Sequence, residues 1–161
     1  MALTIIIDLD KTVIDSSHRY RTKPNGDIDL DYWFANVHKA SSDSLLPFAI
    51  KWRQMQTRTD CIFVVCTSRD DSAKVSTLEF LAAHGLRVNH YLGRPSGSDL
   101  PCEVLKVNLL RRFFSEFGGV GISPRHAVMF EDHKGVRDAV YRELGILCLN
   151  PIASEWLTPS E

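Results

Sequence analysis

The chain has 161 residues and a formal net charge of −1, which predicts one domain spanning 1–161 with room for a substantial core and excludes a global field drawing it onto nucleic acid. Hydrophobic residues make up 44% and charged residues 24%, the balance of a globular protein, and no apolar run approaches membrane-spanning length, so no membrane partner is expected. Cys61, Cys66, Cys102 and Cys148 show no CxxC or metal-ligand spacing; they suit a reducing compartment such as the cytoplasm, and the short N-terminal apolar run, broken by Asp8, does not read as a signal peptide.

Thr4 to Ile7 is an unbroken β-branched run, the pattern of a central parallel strand buried on both faces. It leads into Asp8, Asp10 and Thr12. Carboxylates two apart on extended chain point the same way, which is costly unless a cation or a proton is shared there. A polar stretch follows, with Lys11, His18, Arg19, Arg21 and Lys23, then a turn at Pro24-Asn25-Gly26-Asp27. Asp29 or Asp31 is expected to cap a short helix that turns Trp33, Phe34 and Val37 inward.

Ser44 to Gln56 reads as a helix capped by Asp43 or Ser44, with Phe48, Trp52 and Met55 as its inner stripe. Thr59 to Thr67 is a second buried strand that ends in Thr67-Ser68-Arg69-Asp70. A helix over 72–84, with Val75, Leu78, Leu81 and Ala82 inward, stops at Gly85. Val88 to Leu92 is a third strand, and a helix runs from Leu100 or Pro101 to Phe117. A strand from His126 to Phe130 ends in Glu131-Asp132; a helix follows from Val136 to Leu144, then a strand from Ile146 to Leu149 and a loop or turn from Pro151. Apolar strands alternating with helices predict an α/β, doubly wound, parallel five-stranded sheet with helices on both faces. In such sheets ligands bind beyond the carboxyl ends of the strands, where Asp8/Asp10, Thr67/Arg69 and Glu131/Asp132 all fall.

Together these groups suit phosphoryl transfer. Asp8 can attack phosphorus as a carboxylate nucleophile, and Asp10 can protonate the leaving oxygen and then deprotonate water. A Mg²⁺ ion held among Asp8, Asp10, Glu131 and Asp132 would offset the repulsion between anions. Thr67 offers a hydroxyl and Lys106 a point charge to the phosphoryl oxygens.

The ordered set Asp8-x-Asp10-x-Thr12, Thr67 at a strand end, Lys106 at a helix start and Glu131-Asp132 resembles the four motifs of the haloacid-dehalogenase-like (HAD) phosphohydrolases. That resemblance implies the fold, Mg²⁺ dependence and an aspartyl-phosphate intermediate. Lys11 departs from it, because the family usually has Gly there. A narrower resemblance, carried by Asp8 to Arg19, Asp29 to Phe34, Thr67-Ser68-Arg69, Gly93-Arg94-Pro95-x-Gly97, Glu103-x-x-Lys106 and the stretch from Phe130 to Ile146, is to the phosphatase domain of phage polynucleotide kinase-phosphatases. It implies removal of 3′-phosphates from nucleic acid ends, with Arg19, Ser68 and Arg69 lining the substrate site. It also implies a host-cytoplasm location and a separate kinase or ligase partner, since no GxxxxGK[ST] loop occurs.

Neither segment that carries cap domains in HAD phosphatases has room for one here, so an open site suited to a large substrate is expected. A nucleotidase acting on free mononucleotides is the alternative. A phospho-receiver or end-binding domain without turnover is the alternative of another class; a receiver's acidic pair follows its first strand and its phosphorylated Asp a middle strand, the reverse of the order here.

Overall fold

The computed structural model describes residues 2–26 and 28–151. Asp27 of the expected turn and the chain beyond Pro151 lie outside the described residues. In chain order the elements are β1 (Leu3–Ile7), β2 (Ile14–Asp15), α1 (Leu30–Ala35), β3 (Ser44–Leu45), α2 (Phe48–Met55), β4 (Cys61–Asp70), α3 (Lys74–Ala83), β5 (His90–Arg94), α4 (Cys102–Phe117), β6 (Ala127–Phe130), α5 (Lys134–Leu144) and β7 (Leu147–Leu149), with short 3₁₀ turns between several of them. The main sheet has five strands in the order β5-β4-β1-β6-β7, and every pairing in it is parallel. This is the doubly wound α/β architecture expected from the sequence.

β1 lies at the centre because it is apolar on both faces. Ile5 and Ile7 face one core with Phe48, Trp52, Phe63, Val65 and Leu81. Ile6 faces the other with Val64, Leu110, Phe113, Val136 and Val140. The first core is closed by α2 and α3, the second by α4 and α5. Because β1 and β6 pair in parallel, Ile7 opposite Phe130, Asp8 and Glu131 leave the sheet side by side.

Four expectations are corrected. Ser44–Leu45 is not helical: it pairs antiparallel with Ile14–Asp15, which draws the chain out, and α2 begins only at Phe48 behind Pro47. β4 continues past Thr67 to Asp70, with a register shift against β5 between Cys66 and Asp70. On α3, Val75 is 68% exposed, and Thr77 and Leu81 are the buried positions, because the Thr77 hydroxyl accepts a hydrogen bond from Arg69 (3.0 Å). The shift in β4 re-aims Arg69 at the end of the strand, as bulges do. Asp29 does cap α1, its side chain accepting from the Tyr32 amide, yet Phe34 is 41% exposed rather than inward. No described helix is long and apolar enough to cross a membrane.

Candidate active site

At the carboxyl ends of β1 and β6, Asp8, Glu131 and Asp132 bring one carboxylate oxygen each to within 4.8 Å of one another. Lys106, near the start of α4, reaches between them: its Nζ donates to Asp8 Oδ1 and to Glu131 Oε2, both at 2.6 Å. Thr12 donates to the second oxygen of Asp8 (2.9 Å) and lies 3.4 Å from an Asp132 oxygen. All of this is buried except Asp132, which is half-buried. Three carboxylates with one ammonium leave the cluster short of positive charge. Burial and the neighbouring Glu131 push the Asp8 carboxyl well above its ordinary range, against the pull of Lys106. Burial likewise raises Glu131. For Lys106, burial works against the charged form, but Asp8 and Glu131 outweigh it and hold the ammonium charged. An oxygen-only donor set with this charge deficit fits a hard divalent cation such as Mg²⁺. Asp8, Glu131 and Asp132 are the residues that would hold it; the Asp10 carboxylate is outside this group among the described residues.

Asp10 is instead engaged by arginine. Arg69 forks onto both its oxygens (2.7 and 3.0 Å), and Ser16 donates to it at 2.8 Å. Burial alone would raise the Asp10 carboxyl, but the Arg69 charge and these hydrogen bonds outweigh burial and hold it below the usual range. Arg69 also donates to Asp43 (2.9 Å). Arg19 forks onto the same Asp43 (2.9 and 3.1 Å) and stacks on Trp33 at 4.1 Å. Arg19, Asp43 and Arg69 are all buried. Arg19, expected at the substrate, is therefore packed beneath the site and is not among the residues that line the cleft.

The Thr67 hydroxyl accepts from the Arg69 amide (3.1 Å) and is buried. Ser68 lines the cleft and its hydroxyl points at Cys102 Sγ (3.2 Å). Arg94 bonds the carbonyls of Ser68, Ser98 and Leu100 and so ties the end of β4 to the loop before α4. Sequence reasoning passed over Asp43, Ser16 and Thr77 as contributors to this network. Asp43 reads locally as a helix cap, and only the fold-back of residues 36–45 brings it to the arginines.

Above the acidic floor is a cleft of about 360 Å³. Tyr20, Ile28, Leu30, Trp33 and Phe34, from the segment after β1, line it together with Leu100, Pro101, Cys102 and Val136. Leu30, Phe34 and Leu100 are exposed large hydrophobics there, at 52%, 41% and 39%. Among the described residues no separate cap domain is built. Yet the short insert and the loop before α4 wall the site to small-molecule dimensions, at the lower end of the roughly 300–1,000 Å³ typical of ligand pockets. The expected open site is thus narrowed, because α1 turns apolar side chains toward the cleft instead of into the core.

A family model described as bacteriophage T5 5′-deoxynucleotidase matches residues 1–93, from β1 into β5. No curated protein matches the sequence. Among solved structures, a chain of the Pnkp1/Rnl/Hen1 complex superposes with a TM-score of 0.69 at 20% identity, covering 92% of this chain and 45% of that one. The present chain thus spans less than half of that relative. The haloacid dehalogenase-like hydrolase SP0104 from Streptococcus pneumoniae superposes at 0.65, with 17% identity over 92% of this chain and 84% of that one. A predicted phosphatase from Clostridium acetobutylicum superposes at 0.66, with 14% identity over 93% and 84%. These likenesses show the HAD-type fold.

Proposed function

The chain belongs to the bacteriophage T5 5′-deoxynucleotidase family, and from that premise we propose that it is a phosphomonoesterase releasing the 5′-phosphate of free deoxynucleoside monophosphates. The observation that carries this reading is the cleft itself. Its floor carries phosphoryl-transfer groups, and aromatic and aliphatic side chains rise from that floor within a volume of about 360 Å³. A phosphate joined to a sugar and a base has that polarity profile.

Asp8 attacks phosphorus, and the bond to the 5′-oxygen breaks, leaving an aspartyl phosphate and a deoxynucleoside. Asp10 gives its proton to the leaving oxygen and takes one from the water that then hydrolyses the acyl phosphate. The Arg69 fork sets the direction of the Asp10 carboxylate and favours its ionised, water-activating form. An arriving phosphate dianion works against Arg69 and raises the affinity of Asp10 for the proton it must donate. Thr12 orients Asp8. Lys106 offsets charge at Asp8 while phosphate is bound, and Ser68, which lines the cleft, offers its hydroxyl, whereas Thr67 is buried outside the cleft lining and accepts from the Arg69 amide. A bound Mg²⁺ at Asp8, Glu131 and Asp132 supplies the counter-charge that lets one anion approach another.

Removal of 3′-phosphates from nucleic acid ends, with a separate kinase or ligase partner, is the second reading, favoured by the motif resemblance. Of the basic residues after β1 that could follow a nucleic acid backbone, both arginines are engaged within the chain. Arg19 is buried on Asp43, and Arg21 is bonded to Asp29 (2.8 Å) and stacked on Tyr32. The deciding experiment compares kcat/KM for deoxynucleoside 5′-monophosphates, their 3′ isomers and a 3′-phosphorylated oligonucleotide, with Mg²⁺ and after chelation. The 5′-mononucleotides are expected to turn over fastest, with activity lost on chelation and restored by Mg²⁺. Faster turnover of the oligonucleotide transfers the assignment to the second reading.

A further inference from the structure

We propose that Lys11 is the receiving cation for the substrate's phosphate dianion, a role that rests on the reading of the cleft as a phosphomonoester site. Three observations converge on it. The first is conformational. Lys11 has φ +65°, and among the described residues it is the only non-glycine with positive φ. In that region the β-carbon of an L-residue crowds its own backbone, and glycine is the usual occupant. The loop imposes the conformation: the amides of Thr12, Val13 and Ile14 all donate to the Leu9 carbonyl (3.1, 2.8 and 2.9 Å), and the Lys11 amide donates back to Ile14 (3.0 Å). Glycine would fit this reversal without strain, so the lysine side chain is carried at a cost.

The second observation is position. Lys11 is exposed, lines the cleft beside Asp8 and Asp10, and its ammonium stands 5.1 Å over the Tyr20 ring. The third is availability. Of the lysines and arginines lining the cleft, Arg69 is bonded to Asp10 and Asp43, Arg94 to three carbonyls, and Lys106 to Asp8 and Glu131. Lys11 has no oxygen partner among the described residues; its ammonium rests on an aromatic face, a weak electrostatic hold. A point charge on a flexible four-carbon stem can leave Tyr20 for a phosphate oxygen without breaking an ion pair.

The test uses Lys11→Gly, Lys11→Met and Lys11→Arg. Binding of inorganic phosphate by calorimetry is measured, with KM for a deoxynucleoside 5′-monophosphate and for p-nitrophenyl phosphate, which has no base. Lys11→Gly is expected to melt about 2 °C higher, because strain is relieved. It should also weaken phosphate binding and raise both KM values about tenfold, the scale of one charge-assisted contact. Lys11→Met should share the binding loss and Lys11→Arg should recover most of it. Unchanged phosphate binding in Lys11→Gly overturns the proposal, as does a loss confined to the nucleotide, which would assign Lys11 to the base. So does a glycine variant that melts well below wild type. If the wild type fails to hydrolyse 5′-mononucleotides, the functional reading fails, while phosphate binding still judges Lys11.

Discussion

At the scale of single residues, chemistry concentrates in Asp8. It is the group on which Lys106, Thr12 and the Glu131–Asp132 pair converge. Asp8→Asn keeps the shape and an acceptor for Lys106 but removes the proposed nucleophile. Turnover should fall by at least about 10³-fold, while the circular-dichroism spectrum and cooperative melting stay those of a folded chain. Activity near wild type would place the nucleophile elsewhere. Asp8, Asp10, Glu131 and Asp132 were legible in sequence because an apolar strand that ends in carboxylates announces its own strand end; Lys106, near the start of a helix, stood out only through its place in the ordered motif set. Lys11 stood out in sequence only as a departure from the usual Gly; its positive φ, set by three amides closing on one carbonyl, is not encoded in the run Asp10-Lys11-Thr12.

At the scale of elements, α1 matters most for selectivity. It is a six-residue helix with no buried residue of its own. Trp33 is committed to Arg19 and Tyr20, whereas Leu30 and Phe34 face the cleft. Phe34→Ala should therefore change folding stability by less than about 0.5 kcal/mol. It should raise KM for a deoxynucleoside monophosphate severalfold and leave p-nitrophenyl phosphate unaffected. Equal effects on both substrates would mean that Phe34 does not meet the base. The existence of α1 and its Asp29 cap follow from local signals. Its outward face does not, since Trp33-Phe34 reads as core until the arginine that occupies Trp33 is seen. Ser44–Leu45 teaches the same lesson: a cap signal at Asp43 lost to a two-residue pairing with Ile14–Asp15 and to two guanidiniums that claimed the aspartate.

At the scale of the whole molecule, the sheet order and both cores follow from the alternation of Ile5, Ile6 and Ile7, so the architecture was readable from β-branched runs and helix stops. The buried charge network was not. Asp43 joins Arg19, Arg69 and through it Asp10, across more than fifty residues of sequence. Asp43→Ala leaves two buried guanidiniums short of a counter-ion and should cost about 3–5 kcal/mol in urea unfolding, with kcat reduced through misdirection of Asp10. A loss below about 1 kcal/mol would show that water takes over the role of Asp43. The same network has a consequence for entry to the site. The segment that walls the cleft is fastened at both ends, Ser16 to Asp10 and Asp43 to Arg69, and opening it would strip partners from the Asp10 carboxylate and from Arg69. These ties oppose a closing or opening motion of this wall and hold its side of the entrance at a set width. Under the proposed function, guests would be sorted by their breadth on arrival, and a slim ester lacking any base would pass the same threshold as a nucleotide, differing only in how long it stays.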